Sequence, residues 1–441
     1  FGNVYTRNPT GAFDIARKPH HKLKAMLQKV DDTYHIAKAL KKVGWPSRWN
    51  EWSTKPESRS WQIETAGKTP SFSLSPTEST KWLRYKHIVP STRDWLEHIE
   101  NGQLPPRLEN FEGQLIGDFY TYNFFVPKRL REPLSVEDWM SPTCNEDGRY
   151  LSAKAGIHWV NDLAIECEVK VKSDTGQLEL DLVKSGTHFT CSIDIATGKA
   201  TLASSNENIS FVSNEKKAVD SPTGKTPIKG KGAYRIRYAN CDDKLYLWVN
   251  EKIIRFEGPT EYVYIQEEHP TPKFSAKDPG DAQPAGVGGK NIELTIDRFQ
   301  VLRDVFYINT RSSENYREFE YKDYPTEVYT TNYETSTHQS NIRSLPLRRI
   351  FEDPTRWNTD EALDFFSSQI HSNPNYFYEL DTDQFMPLGD NSPSSQDARA
   401  WDHGHYFERK YLIGKALLIY WPHAWRQPFL FPNFRRIGFI R

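Results

Sequence analysis

From about residue 134 to 309, apolar and polar side chains alternate with a period of two. Leu163, Ile165, Cys167, Val169 and Val171 are interleaved with Ala164, Glu166, Glu168 and Lys170. Leu178, Leu180 and Leu182 are interleaved with Glu179, Asp181 and Val183. The same rhythm returns at Phe189, Cys191 and Ile193, at Tyr234, Ile236 and Tyr238, at Leu245, Leu247 and Val249, and at Ile292, Leu294 and Ile296. Successive strand side chains point to opposite faces, so each apolar set lines one face of a sheet. Turn residues separate the runs, which predicts antiparallel strands stacked as a two-sheet sandwich. The fold class expected is mainly β.

Elsewhere the rhythm changes. Leu23, Met26, Leu27 and Val30 have helical spacing within Lys22 to Val30, and a second short helix is expected from Tyr34 to Lys42, stopping near Gly44-Trp45-Pro46. Residues 45 to about 130 carry Trp45, Trp49, Trp52, Trp61, Trp82 and Trp95 and read as short strands and turns. Aromatics at this density serve core packing more often than a sugar platform. Residues 311 to 358 are a polar, tyrosine-rich connector. Thr359 then caps a short helix carrying Ala362, Leu363, Phe365, Phe366 and Ile370.

Charge and composition narrow the function classes. The 441 residues are 37% hydrophobic and 13% aromatic, enough for real cores, and two or three domains are expected. A formal net charge of −1 supplies no field to attract nucleic acid, and no nucleic-acid partner is expected. No apolar run approaches the roughly 18–20 residues of a membrane span. Phe1-Gly2-Asn3-Val4-Tyr5 reads like part of an opened hairpin rather than a secretory leader, so the chain is expected to be a fragment. Cys144, Cys167, Cys191 and Cys241 lack metal-type spacing; Cys167 and Cys191 lie on apolar parity as buried thiols, with a disulfide between them left open.

The stretch that carries chemistry runs Phe385-Met386-Pro387-Leu388-Gly389-Asp390-Asn391-Ser392-Pro393-Ser394-Ser395-Gln396-Asp397-Ala398-Arg399-Ala400-Trp401, followed by Gly414-Lys415-Ala416 and a strand from Leu417 to Trp421. Asp397 and Arg399 are close enough to pair through the guanidinium fork. A Gly389-Asp390-Asn391 turn fixes the backbone, with Gly389 free to take a positive φ. This order resembles the last box of the type I signal peptidases, and Asn3-Val4-Tyr5 resembles the strand after that family's lysine box. Ser392, Pro393 and Ala398 depart from the pattern, where arginine and serine are usual at the first and last of these.

The resemblance covers roughly residues 1–35 and 375–425, and the large insertion between them is similar to that of planctomycete-type members. In this family a serine attacks the peptide carbonyl and a neutral lysine takes its proton. Both would lie upstream of this chain, which alone is expected to be inactive. Trp139-Met140-Ser141-Pro142-Thr143 imitates the serine box with tryptophan at the nucleophile position and is set aside. By resemblance, Ser395 would orient the lysine while Asp397 and Arg399 hold the supporting shell. No metal or nucleotide cofactor is implied. The resemblance implies signal-peptide-bearing preproteins as partners and a bacterial cytoplasmic membrane location, with the catalytic domain on the outer side.

The middle of the chain resembles a concanavalin-like (laminin-G or lectin-type) jelly roll, with Trp159 to Val169 as its opening strand and Tyr234 to Ile254, turning at Asn250-Glu251, as its central hairpin. The expected organisation is therefore residues 1–43 as a first signal-peptidase-like part, 44–133 as a Trp-rich inserted segment, 134–309 as a jelly-roll insertion, 310–374 as a connector with a short helix, and 375–441 as the box and tail. The alternative is a cell-surface lectin-like module, binding carbohydrate or protein on a degenerate peptidase scaffold, so a glycan is a candidate partner. A glycosidase using Glu166 with Glu168, or Glu179 with Asp181, ranks third, because those acids read as a solvated sheet face. Gly286-Val287-Gly288-Gly289-Lys290 fails as a phosphate loop and reads as a flexible loop. His20-His21 and His403-x-His405 lack a third metal ligand. The tail from Trp421 to Arg441, with six aromatics, four arginines and no acid, suits either a membrane surface or packing on the catalytic domain.

Overall fold

The structure is a computed structural model describing residues 2–53, 59–65, 69–90, 94–118, 158–212, 218–265, 271–307, 350–360, 362–363, 366, 378–390, 395, 397–401, 404–414, 416–420 and 437–439. The chain opens with the hairpin β1 (Tyr5–Arg7) and β2 (Phe13–Ile15), helix α1 (His20–Met26), β3 (Gln28–Asp32) and helix α2 (Lys38–Lys42). Short strands follow at β4 (Trp49–Trp52), β5 (Trp61–Glu64), β6 (Ser71–Leu74) and β7 (Lys81–Tyr85). The long run comprises β8 (Leu163–Val171), β9 (Gln177–Lys184), β10 (Thr187–Asp194), β11 (Lys199–Ser204), β12 (Ile209–Val212), β13 (Ala218–Val219), β14 (Thr223–Lys225) and β15 (Gly232–Cys241). It continues through β16 (Lys244–Val249), β17 (Lys252–Ile253), β18 (Phe256–Glu257), β19 (Tyr262–Tyr264), β20 (Ala285–Lys290) and β21 (Leu294–Arg303). Two short pairs come last, β22 (Gln384–Phe385) with β23 (Phe407–Glu408) and β24 (Leu418–Ile419) with β25 (Gly438–Phe439).

The fold is mainly β and is a sandwich of two eight-stranded antiparallel sheets. The first sheet runs β18-β14-β11-β10-β9-β20-β7-β4; the second runs β17-β16-β15-β8-β21-β6-β5, with β3 also paired to β21. Alternation explains the packing. Leu163, Ile165, Cys167, Val169 and Val171 of β8 face Leu178, Leu180 and Leu182 of β9 within one buried core. Each such side chain contributes about 1.5–3 kcal/mol by leaving water. The Tyr238 hydroxyl crosses between sheets to donate to the Phe189 carbonyl at 3.1 Å, and Trp49 stacks on Phe299 with ring centres 3.9 Å apart. Asn250 and Glu251 hold φ of 48° and 68°, the paired positive values of a tight hairpin turn.

Several expectations are corrected. The helix read over Lys22–Val30 stops at Met26, because Val30 faces the core and Gln28–Asp32 pairs with β21. Gly286–Lys290 is no loop but lies in β20, hydrogen-bonded between β9 and β7. The acids read as solvated are largely buried: Glu166 is 2%, Glu179 8% and Asp181 0% exposed. Trp45, Trp49, Trp61 and Trp95 are buried, whereas Trp52 and Trp82 are half-exposed on the outside of the first sheet. Residues 28–85 thus give strands to both sheets. Cys167, Cys191 and Cys241 are buried free thiols; Cys144 and the serine-box imitation lie outside the described residues. Thr359 accepts from the Ala362 amide at 3.3 Å, a side-chain cap.

Both outer faces are used differently. Leu23 of α1 is fully buried on the outside of the second sheet among Ala164, Ala239, Cys241, Tyr246, Trp248 and Leu302. Lys18 anchors the same segment through Asp304 at 2.8 Å and Asp242 at 3.2 Å. Among the described residues no helix is long and apolar enough to cross a membrane.

Candidate functional site

The box predicted from sequence is held by one carboxylate. Asp397 caps the short turn Ala398–Ala400, and its Oδ1 accepts from the Arg399 amide at 3.2 Å and from Arg399 Nε at 2.8 Å. Its Oδ2 accepts from the second guanidinium nitrogen at 2.7 Å and from the Gly389 amide at 2.8 Å. The Ala398 amide donates to the Pro387 carbonyl at 3.2 Å. Burial pushes the Asp397 carboxyl up, but the hydrogen bonds from Arg399 and Gly389 outweigh it and hold it below the usual carboxylate range. Asp397 is 8% and Arg399 3% exposed, so this is a buried, forked ion pair.

Gly389 lies outside the left-handed region, contrary to expectation. A Cβ there would collide with Ser395 Oγ, so close approach of the two chain segments is what the position requires. Ser395 is half-buried, and among the described residues no base is hydrogen-bonded to it. The Asp390 carbonyl accepts from Gln28 Nε2 at 2.6 Å. Arg399 lies 5.8 Å from the Tyr307 ring centre, and the Tyr307 amide donates to the Gly2 carbonyl at 3.0 Å. The start of the chain, the segment after β21 and the box therefore meet. Asn391 lies outside the described residues, as does the tail apart from 437–439.

The outer face of the first sheet holds a second constellation. Register places Trp52, Trp82, Gly288, Glu179, Ser192 and Thr201 in one row across neighbouring strands. The row beside it reads Asn50, Arg84, Gly286, Asp181, Thr190 and Ala203. Arg84 pairs with Asp181 at 2.6 Å, and His188 bridges Asp181 at 2.7 Å and Asp278 at 2.9 Å. Burial opposes a charged imidazole, but those two carboxylates outweigh it and raise His188 to about 9. Burial pushes Asp181 up, yet Arg84 and His188 hold it below its ordinary value. Glu179 is raised, chiefly by burial, although the Ser192 hydroxyl donates to it.

Sequence reasoning found Glu179 and Asp181 but missed Arg84, His188 and Asp278. The available signal was parity: Arg84 shares the face of Trp82, and His188 that of Thr190 and Ser192. On the second sheet Glu166 is likewise not a free acid, since Arg235 reaches it at 2.5 Å and Arg237 also binds it. Asp162, Asp242 and Asp304 lie close enough to share a cation. The ammonium groups of Lys18 and Lys184 already reach them, the latter 2.6 Å from Asp162.

No family model matches this chain, and no curated protein matches it. Solved structures give distant likenesses. A Bacillus subtilis protein of unknown function with a galectin-like fold is 8% identical, with 63% of this chain and 97% of that chain covered and a TM-score of 0.29. A galectin from Caenorhabditis elegans is 7% identical over 32% of this chain and 83% of that one, TM-score 0.22. A carbohydrate-binding module from Bacillus subtilis is 10% identical over 31% and 72%, TM-score 0.19. At these scores the likenesses carry no argument.

Proposed function

We propose that this chain is the carboxy-terminal part of a type I signal peptidase, whose complete protein removes signal peptides from exported proteins on the outer side of a bacterial cytoplasmic membrane. The observation that carries the reading is the closed Asp397–Arg399 fork, with the Gly389 amide bound to it, Ser395 packed on Gly389 and the start of the chain seated alongside. In this reading the nucleophilic serine and the lysine base come from sequence before Phe1. Ser395 positions the lysine, and Asp397 and Arg399 position Ser395 by fixing the backbone on both sides of it. The preprotein is the substrate and no metal or nucleotide takes part. The test is cleavage of a signal-peptide substrate by the full-length gene product. Ser395→Ala should lower kcat by about 10–100-fold, the range for removing a supporting group, with KM little changed and the pH–rate profile displaced. An unchanged rate and profile would remove Ser395 from the reading.

The outer face of the first sheet favours a second reading, compatible with the first: the sandwich is a lectin-like module that binds carbohydrate or protein at the cell surface. Its support is the half-exposed Trp82 beside a carboxylate and two hydroxyl side chains in a single row. Binding of the intact chain to a glycan array tests its carbohydrate form, and the absence of any bound glycan would leave the sandwich without that role.

A further inference from the structure

We propose that the row Trp82–Gly288–Glu179–Ser192–Thr201 is a binding site for neutral saccharides; this rests on the module reading above and names its site and ligand class. The row spans β7, β20, β9, β10 and β11, whose neighbours stand about 4.8 Å apart, so it forms a continuous strip across the sheet. Its floor is set by two glycines. A Cβ on Gly288 would lie 2.8 Å from Trp82 Cε3, and one on Gly286 would lie 3.3 Å from the same atom. The indole therefore lies down over β20 in space that any other residue would occupy, half-exposed and with the Arg84 guanidinium 5.2 Å from its ring centre.

On the far side of that glycine gap the chemistry turns polar. Glu179 accepts from the Ser192 hydroxyl, and Thr201 adds a second hydroxyl on the next strand. Ser192 and Thr201 remain partly exposed. An aromatic face beside two partly exposed hydroxyls, one of them held by the largely buried Glu179, matches a pyranose ring, which offers one apolar C–H face and a rim of hydroxyl donors and acceptors.

Charge selects the ligand class. The guanidinium of Arg84 and the imidazole of His188, in the neighbouring row, are engaged by Asp181 and Asp278. Lys290, at the end of β20, acts on Glu179 and offsets its charge. The Arg84 fork is turned to Asp181 rather than to the strip, so the row is matched to hydroxyl groups rather than to a sulfate or carboxylate.

The experiment uses the full chain on an array of neutral, sialylated and sulfated oligosaccharides, followed by calorimetric titration with the best neutral binder. Trp82→Ala should weaken binding about tenfold, the scale of one lost aromatic contact. Glu179→Gln and Thr201→Val should each weaken it measurably, while Lys170→Ala on the opposite sheet should not. Far-UV circular dichroism and melting temperature confirm folding, and Ser192→Ala stands in if Trp82→Ala does not fold. Neutral glycans that bind the Trp82 and Glu179 variants undiminished overturn this site and leave the module reading standing. Binding confined to sialylated or sulfated glycans overturns the ligand class. No binding to any glycan overturns the site together with the carbohydrate-binding form of the module reading.

Discussion

His188 shows how a single residue is set by its neighbours. It stands between Asp181 and Asp278, with Arg84 the nearest competing cation, and its value of about 9 lies above the ordinary 6.5. Because the folded value is the higher one, the protonated ring stabilises the fold fully below pH 6.5, and that contribution is lost as the pH rises through 9. The stability difference between the wild type and His188→Gln should shrink between those limits by on the order of a few kcal/mol. Urea unfolding at stepped pH measures it, and a pH-independent difference would contradict the assignment. Gly389 gives a second test at this scale. Gly389→Ala drives a methyl group into Ser395, so the box should open and the Asp397–Arg399 fork should loosen. Nuclear magnetic resonance of the Arg399 guanidinium should show its protected Nε–H lost in that variant and kept in the wild type.

Individual elements were legible in proportion to how local their cause is. The alternation in β8, β9, β10, β15 and β16 comes from one apolar face in the sandwich core and one more polar outer face, and it is plain in the sequence even where, as in β9, both faces are buried. The Asn250-Glu251 turn is legible for the same reason. β3 is not, because Leu23, Met26, Leu27 and Val30 satisfy a helical period until pairing with β21 overrides it. β20 is hidden by its glycines, of which Gly286 and Gly288 leave room for the Trp82 ring on the adjacent strand and Gly289 for Ile292 and Leu74 in the core. In the box, the Asp397–Arg399 spacing was readable, but the collision of Gly389 with Ser395 depends on how the loop returns. Helix α1 carries the prediction at this scale. Leu23→Ala leaves a cavity against Trp248 and Leu302 and should cost about 2–5 kcal/mol in denaturant unfolding of the full chain. A loss below 1 kcal/mol would mean that α1 lies only loosely on the sheet.

In the whole molecule the sandwich and the two ends of the chain are joined by several independent ties. β3 is paired to β21, Lys18 is bound by Asp242 and Asp304, and Gln28 holds the Asp390 carbonyl. Strands β4 to β7 lie next to β20 and β21, so a polypeptide limited to residues 134–309 would expose open sheet edges. Such a piece is expected to aggregate or to melt well below the full chain in scanning calorimetry; equal melting temperatures would show a self-sufficient unit. Of these ties, the one from Gln28 joins the box to β3, and the proposed positioning role of Ser395 requires such an anchor. The most direct measurement of the central claim is signal-peptide cleavage by the full-length gene product, wild type against Ser395→Ala, across a pH series. The account predicts cleavage by the wild type, with Ser395→Ala slowed and its pH–rate profile displaced. A wild type without cleavage, or a variant equal to it at every pH, would contradict the account.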